Sequence, residues 1–201
     1  MKRFIKSFLT RIYCILFGVK YVNGLYIGYG AKLVGGNKLR IAENAQVMPY
    51  SMMVSLRNGI IEIGEGTTVS MFSRIASIGY VKLGKYVAMG PNCFIADFNH
   101  EFADVNIPVK LQGLRITQTL DGSPNVEIGD GSWIGTHVVI VGNVKIGKHC
   151  VIGANTVVTK DIPNYCVAVG SPAKVIKRYN FEIGEWESVK KQEEKNENHI
   201  S

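Results

Sequence analysis

The chain has 201 residues, a length that suits one domain or one domain with tails. Apolar residues make up 46% of it and charged residues 19%, so the chain can bury a core and is not disordered as a whole. The formal net charge is +7, which favours anionic partners such as phosphorylated cofactors, membrane surfaces or nucleic acid. No run reaches the ~18 uncharged apolar residues that a membrane-spanning helix requires, which argues against an integral membrane protein.

Residues 1–24 are predicted to form a separate segment built on a basic amphipathic helix. Lys6 and Arg11 interrupt the uniform apolar core that a signal peptide needs. Apolar residues recur instead at helical spacing, at Phe4, Ile5, Phe8, Leu9, Ile12, Ile15, Leu16 and Val19. Two alternatives remain for this apolar face: packing on the protein or a neighbouring subunit, and peripheral contact with an anionic membrane. The protein is expected to be cytoplasmic, with residues 1–20 at the inner face of the membrane under the second alternative.

A six-residue repeat dominates the last third of the chain. From residue 128 the sequence reads IGDGSW, IGTHVV, IVGNVK, IGKHCV, IGANTV and VTKDIP, without a slip in register. Position one is always aliphatic, and position five is small or aliphatic. Position one is occupied by Ile128, Ile134, Ile140, Ile146, Ile152 and Val158. Position two is glycine in four of six repeats, which we expect to let the chain turn with a positive φ. Weaker sets with the same spacing begin at Ile41, Ile63 and Leu83.

The repeat predicts an all-β fold, a parallel β-helix. Positions one and five are an even number of residues apart, so they face the same side of an extended segment. Three consecutive repeats, each a short strand followed by a turn, then close one triangular coil, and the coils stack. A fold of alternating strands and helices is excluded because the period leaves no room for crossover helices. We expect about five 18-residue coils within residues 25–180, interrupted by one long protruding loop at 101–127.

The last residues leave the repeat. The segment after Pro172 is predicted to cap the open end of the β-helix or to form a short helix, because solenoids need capped ends. Residues 181–201 are expected to form a C-terminal helix or disordered tail, with the polar stretch from 188 onward disordered.

The long loop at 101–127 is the first pointer to function, because this break in a tight coil is too long for a simple connection. His100 lies at its root, close to the acidic residues Asp97, Glu101 and Asp104. The other histidines are less well placed. His137 and His149 both occupy position four of a repeat and are expected to point outward.

Three segments carry a resemblance to a known family: DFNHEF at 97–102, VEIGDGSWIGTHVVI at 126–140 and VIGANTVVTKDIPNYCVAVGSPAKVIKRY at 151–179. They resemble the hexapeptide-repeat acyltransferases, in particular the branch of galactoside, maltose and polysaccharide O-acetyltransferases. The resemblance implies a left-handed β-helix, a homotrimer with active sites between neighbouring prisms, and acetyl-CoA as cosubstrate. The acceptor implied is a sugar or polysaccharide precursor. Serine or an antibiotic acceptor remains an alternative, with a hydroxyl favoured over an amine.

The resemblance implies that His100 is the general base in a direct acyl transfer. Histidine suits this work because its side chain titrates near neutral pH. The base accepts a proton from the acceptor hydroxyl, whose oxygen attacks the thioester carbonyl, and a backbone N–H stabilises the oxyanion. Asp97 and Glu101 are the candidates to orient the other ring nitrogen of His100. The family often has proline directly after this histidine, where this chain has Glu101.

The resemblance also places the coenzyme contacts in the last third of the chain, which is independently rich in lysine. The expected contacts are Thr136, Ala154, Thr159, Lys160, Lys174 and Lys177. The family commonly has arginine at the last two positions, and lysine keeps the charge while losing the bidentate fork. Trp133 is expected either to line the substrate site or to pack between subunits.

Three other functions compete with acyl transfer. A β-helical carbonic anhydrase would need three histidines on zinc, and His137 and His149 are separated by two repeats rather than by a full coil of three, which places them on different faces. A non-catalytic scaffold or binding module is the second alternative. Nucleic-acid binding is suggested only by the basic pI, without an aromatic-interleaved basic motif. The four cysteines form no CxxC pair, so they are expected to be small buried residues and no metal is expected.

Overall fold

The structure, a computed structural model, describes residues 2–116 and 122–189, and the side chains of residues 7–116 and 122–189. Helix α1 is Lys2–Phe17, α2 is the short Val109–Gln112, and a 3-10 turn covers Gly36–Lys38. The strands are β1 (Tyr26–Ile27), β2 (Lys32–Val34), β3 (Leu39–Ile41), β4 (Gln46–Val47), β5 (Met52–Ser55), β6 (Ile60–Ile63), β7 (Thr68–Val69), β8 (Arg74–Ser77), β9 (Tyr80–Leu83), β10 (Ala88–Met89), β11 (Phe94–Ala96), β12 (Asn99–His100), β13 (Leu114–Arg115), β14 (Val126–Ile128), β15 (Trp133–Ile134), β16 (Val139–Val141), β17 (Val144–Ile146), β18 (Val151–Ile152), β19 (Val157–Val158), β20 (Cys166–Val169), β21 (Lys174–Asn180) and β22 (Glu185–Ser188).

The strands build a three-sided parallel β-helix, as the repeat predicts. The chain visits three sheets in turn, and we call them the first, second and third faces in that order. The first face is β1-β4-β7-β10-β15-β18-β20, the second is β2-β5-β8-β11-β16-β19, and the third is β3-β6-β9-β14-β17. Strands stacked on one face pair in parallel, for example Ile63 with Leu83 on the third face.

The β-helix has about seven coils rather than the five expected, since seven strands stack on its first face. The N-terminal coils are also longer than the 18-residue period. Trp133 pairs with Val151, which lies three repeats further along the chain, whereas Tyr26 pairs with Gln46, which lies beyond that spacing. The extra residues lie at the corner between the second and third faces, where the first coil inserts the 3-10 turn Gly36–Lys38. Coils of unequal length still stack in register because the corner absorbs the difference.

Aliphatic side chains fill the prism as predicted. Position-one residues from Ile128 to Val158 are at most 1% exposed, and position five is buried as well. The buried hydroxyl group of Ser132, at position five, also ties one coil to the next. Ser132 Oγ donates to the Gly147 carbonyl at 2.9 Å and accepts from the Cys150 amide at 3.0 Å. The repeat therefore supplies both the apolar core and hydrogen bonds between coils.

The expectation that glycine at position two adopts a positive φ is wrong. Gly129 lies outside that region, and the left-handed residue is at position four, where Gly131 has φ 67° and His137 has φ 56°. Position two needs glycine for a different reason. A Cβ on Gly129 would lie 2.6 Å from the backbone of Gly147 and Lys148 in the next coil. Glycine at this position therefore permits the close approach of stacked coils.

Helix α1 closes the N-terminal end of the prism. Strand β1 is the edge of the first face, so some of its amides have no partner strand. The Ile27 amide donates to Thr10 Oγ1 at 3.2 Å, and the Gly30 amide donates to the Tyr13 hydroxyl at 3.3 Å. The helix ends at a left-handed Gly18, whose amide and that of Val19 donate back into the last turn. Side chains of α1 thus cover an edge that would otherwise be open to pairing with another chain.

The C-terminal end is closed by a hairpin, so the predicted cap is confirmed but its form differs. β21 reverses direction on β20, and β22 pairs antiparallel with β21. Residues 181–188 form a turn and a strand, and the helix or disordered tail expected there is wrong for these residues. The aromatic rings of Tyr165, Tyr179, Phe181 and Trp186 pack edge to face and hold the hairpin in place. The rest of the expected tail, 190–201, lies outside the described residues.

Within residues 2–116 and 122–189, no helix has the length and apolar character needed to cross a membrane.

Candidate active site

His100 lies where the chain leaves the β-helix. After β11 the chain extends into β12, which pairs antiparallel with β13 so that His100 stands opposite Leu114. The Glu101 amide also donates to the Gly113 carbonyl at 3.1 Å. The imidazole is exposed on the single protomer. His100 is therefore fixed by backbone pairing while its ring stays accessible to a substrate.

The Asp97 carboxylate is used to hold the previous coil. It is 3% exposed and accepts three hydrogen bonds, from Ser77 Oγ at 2.6 Å and from the amides of Ile78 and Gly79 at 3.0 Å each. Among the described residues, no hydrogen bond joins this carboxylate to the His100 ring. Asp97 therefore anchors the start of the loop to the turn of the coil beneath it.

Glu101 organises the first residues of the loop. One carboxylate oxygen accepts from the Phe102 and Ala103 amides at 2.9 and 3.1 Å, and the other lies 3.9 Å from Arg115 Nε. Within the described part of the chain, Glu101 makes no hydrogen bond to His100. This geometry leaves Glu101 adjacent in sequence to the candidate base but engaged with the loop backbone and with β13.

Four of the expected coenzyme contacts lie close to β19, the last strand of the second face. Thr136 and Ala154 stand in successive coils at the corner where the chain enters this face. Thr159 and Lys160 follow β19, at the corner where the chain leaves it. Since β11, β16 and β19 are neighbours, this second corner is the one from which the loop of His100 departs, two coils away.

The segment before Lys174 crosses the same end of the prism. The Val157 amide donates to the Gly170 carbonyl at 3.0 Å, and the Ala173 amide donates back to the Val157 carbonyl at 2.9 Å. Lys174, at the start of β21, is thereby held near the end of the second face. Five of the expected contacts therefore surround β19, namely Thr136, Ala154, Thr159, Lys160 and Lys174.

Trp133 and Lys177 lie on the neighbouring first face, in one transverse row. Trp133 pairs with Val151, Val151 with Val167, and Val167 with Lys177. The Trp133 side chain is 57% exposed, and Lys177 is exposed as well. The corner that carries Thr136 separates this row from the second face. The predicted residues thus form two groups, one around β19 on the second face and one on the neighbouring first face.

Neither a reactive thiol nor a metal cluster stands near these groups in the described part of the chain. All four cysteines are free and buried, and burial raises the pKa of the Cys93, Cys150 and Cys166 thiols. His149 stacks on Tyr165, with ring centroids 5.6 Å apart, and is not part of a ligand cluster. Across residues 2–116 and 122–189, no group of three His, Cys, Asp or Glu side chains could hold a metal ion.

Two residues that support the loop escaped the sequence reasoning. Arg115 returns beside the root of the loop and pairs with Asn99. Asn125 is 3% exposed and accepts the Tyr80 amide through its side chain at 3.1 Å, where the chain re-enters the prism. Both lie in the segment without a repeat, so no periodic signal marked them.

The comparisons with known proteins agree with this architecture. The family described as bacterial transferase hexapeptide (six repeats) matches residues 125–160. A lipopolysaccharide biosynthesis O-acetyl transferase by name, WbbJ of Escherichia coli, is 31% identical over 188 residues, which is 90% of this chain and 89% of WbbJ. A Mycobacterium tuberculosis protein named as an acetyltransferase is 35% identical over 124 residues, 62% of this chain but only 39% of that protein.

Among solved structures, the N-acyltransferase AntD of Bacillus cereus has the same fold. Its crystal structure superposes with a TM-score of 0.64 at 18% identity, covering 95% of this chain and 97% of AntD. The hexapeptide repeat, the stacked coils and the near full-length similarity to WbbJ agree with one another. The family expected from the sequence is confirmed, and the chain belongs to the hexapeptide-repeat acyltransferases.

Proposed function

We propose that the protein transfers an acetyl group from acetyl-CoA to a hydroxyl of a sugar or polysaccharide precursor. The similarity to WbbJ over 90% of this chain carries the proposal, because WbbJ is named for O-acetyl transfer in lipopolysaccharide biosynthesis. The AntD crystal contains dTDP and 3-hydroxybutyryl-CoA, so a β-helix of this kind can accommodate an acyl-CoA.

His100 is the general base in this proposal. Its imidazole accepts the proton of the acceptor hydroxyl as the oxygen attacks the thioester carbonyl carbon. A tetrahedral oxyanion forms and is stabilised by a backbone N–H. The carbon–sulfur bond then breaks, and the imidazolium returns its proton to the departing thiolate. The exposed ring at the root of the loop supports this role, since both substrates must reach it.

The coenzyme is proposed to lie along the corner that carries Thr136 and Ala154. Its phosphates would meet the cations at the C-terminal end of the prism, where Lys160, Lys174 and Lys177 are exposed. Trp133 would offer an apolar surface beside them, either to the substrate or to a neighbouring subunit. A homotrimer is part of the proposal, since His100 and Trp133 are open to solvent on one protomer and a neighbour would enclose them.

Removing two of these cations should weaken coenzyme binding without changing the rate of acyl transfer. The double variant Lys174→Ala/Lys177→Ala is expected to raise the KM for acetyl-CoA about two- to thirty-fold, because each exposed ion pair contributes roughly 0.2–1 kcal/mol. The kcat should change little. Lys32→Ala/Lys38→Ala removes the same charge from the first coil and should leave both constants unchanged. Equal KM values for the two double variants would contradict this coenzyme site.

The acceptor is tested by following thiol release from acetyl-CoA. The panel contains free sugars, nucleotide sugars, serine and chloramphenicol, and the proposal expects turnover with a sugar or nucleotide sugar. Turnover with serine or chloramphenicol alone would replace the proposed acceptor class. No thiol release, together with no coenzyme binding by calorimetry, would favour a non-catalytic β-helix.

The proposed cosubstrate also suggests where in the cell the protein acts. Acetyl-CoA is a cytoplasmic metabolite, so the protein is proposed to act in the cytoplasm, with residues 1–20 in peripheral contact with the inner face of the membrane.

A further inference from the structure

Helix α1 docks on the β-helix through the side opposite its most exposed apolar residues. Thr10 and Cys14 are buried against the first coil, and Tyr13 and Phe17 are half-buried beside them. Ser7 hydrogen-bonds the Tyr21 hydroxyl at 3.2 Å on the same side. The docking side therefore combines apolar packing on the core with two hydrogen bonds to the Ile27 and Gly30 amides, and it leaves the apolar stripe of the helix uncovered.

The opposite side of α1 is apolar and exposed. We call it the outer face, and it consists of Phe8, Leu9, Ile12, Ile15 and Leu16, which are 37–80% exposed. These residues follow helical spacing and include no charged side chain. A continuous apolar stripe in solvent is a marker of an interaction surface, since single exposed apolar residues are common but contiguous patches are not.

The charge around the outer face indicates whether it contacts a second copy of the chain or a lipid bilayer. The cations in or beside α1 are Lys2, Arg3, Lys6, Arg11 and Lys20, and no acidic residue precedes Glu43. The Arg11 guanidinium rests over the Tyr21 ring, 4.8 Å from its centroid, at the flank of the helix. Two copies docked through this face would bring like charges together without an acidic partner. An anionic bilayer instead offers hydrocarbon to the apolar side chains and phosphate to the cations.

We propose that the outer face of α1 inserts into the headgroup region of an anionic lipid bilayer. The inference rests on the membrane contact within the proposed function, and it names the face and the lipid chemistry that make that contact. The helix would lie in the plane of the interface, because it caps the end of the prism and its docking side stays on β1. The N-terminal end of the β-helix would then face the lipid.

The test is sedimentation of the full chain with vesicles. Vesicles of phosphatidylglycerol and phosphatidylethanolamine should bind the protein, pure phosphatidylcholine vesicles should bind it far less, and added salt should weaken binding. Ile15→Glu and Leu16→Glu should each reduce binding at least about tenfold, the expected effect of losing one buried aliphatic side chain. Point variants are preferred to deletion of residues 1–20, because deletion would expose the Ile27 and Gly30 amides.

Ile183→Glu is the matched control. It makes the same change in charge on an exposed isoleucine of the C-terminal hairpin, and it should bind vesicles like the original protein. Equal binding by Ile15→Glu and the control would overturn the proposal. So would a concentration-dependent doubling of mass in light scattering that Ile15→Glu abolishes, since the outer face would then join two copies. Thiol release with soluble acceptors should be unchanged in Ile15→Glu, which separates failure of this inference from failure of the proposed transferase activity.

Discussion

Replacing His100 with alanine is expected to lower kcat by about 10²–10⁴-fold, the usual contribution of a general base. The variant loses the proposed acceptor of the hydroxyl proton, while the proposed coenzyme residues around β19 stay intact. The KM for acetyl-CoA should therefore change little. The strand pairing that holds position 100 is made by the backbone, so the variant should fold. Steady-state thiol release measures both constants, and a melting curve checks the fold.

A second exposed histidine provides the control for this variant. His149→Asn removes an imidazole outside the two groups of candidate residues, and asparagine tolerates the left-handed φ of 50° at that position. It should retain full activity. A near-normal kcat for His100→Ala, or an equal loss in both variants, would reject His100 as the base.

Asp97→Ala is expected to have the largest effect on stability. It leaves the hydroxyl of Ser77 and the amides of Ile78 and Gly79 without their acceptor in a buried site. Each unpaired buried donor costs roughly 1–3 kcal/mol, so the free energy of unfolding should fall by about 3 kcal/mol or more. For a protein of this size that corresponds to a drop in Tm of roughly 6–12 °C.

Ser77→Ala separates the two roles considered for Asp97. It removes one donor and leaves both amides paired to the carboxylate, so it should cost only about 1 kcal/mol. If Asp97→Ala melts like the original protein but loses its activity, the carboxylate orients His100 and does not anchor the loop. Urea unfolding and thiol release measured on the same two variants distinguish these outcomes.

The sequence predicted the core well where the repeat is regular. From Ile128 to Val158 each position has the same environment in every coil, so residue type alone indicates which side chains point inward. The register of the N-terminal coils was harder to predict, because corner residues such as Gly36–Lys38 change the spacing without changing the stacking. The periodicity indicates whether a side chain points into the prism or out of it. It does not indicate how many residues each corner contains.

The sequence does not indicate which residues of neighbouring coils come into contact. The incorrect expectation for glycine at position two and the missed partners of Asp97 both follow from this. The glycine at position 129 suggests a turn, but its requirement comes from the backbone of Gly147 in the next coil. The partners of Asp97 were missed for the same reason, since Ser77 is distant in the chain and becomes a neighbour only through stacking. The root of the loop and its histidine could be found from the interrupted repeat, but the contacts that fix them could not.

Helix α1 shows that the most apolar side of an amphipathic helix is not always the side that packs on the protein. Its apolar stripe is evident from the sequence, and packing on the prism was one reasonable expectation for it. The first coil instead presents the amides of Ile27 and Gly30 to the helix, and the hydroxyl groups of Thr10 and Tyr13 accept their hydrogen bonds. The side of the helix that docks therefore satisfies these amides and also packs Cys14, Tyr13 and Phe17 against the core.

The antiparallel pair at the root of the loop also bears on how this enzyme could acquire new acceptors. Residues 101–113 depart and return through one short hydrogen-bonded clasp, β12 with β13. Lengthening a segment whose two ends are already joined adds little closure entropy, about 0.6 kcal/mol for each doubling. Insertions and deletions in this excursion can therefore alter the surface beside the exposed His100 ring in evolution, which is a route to new acceptors, while that ring and the stacked prism stay where they are.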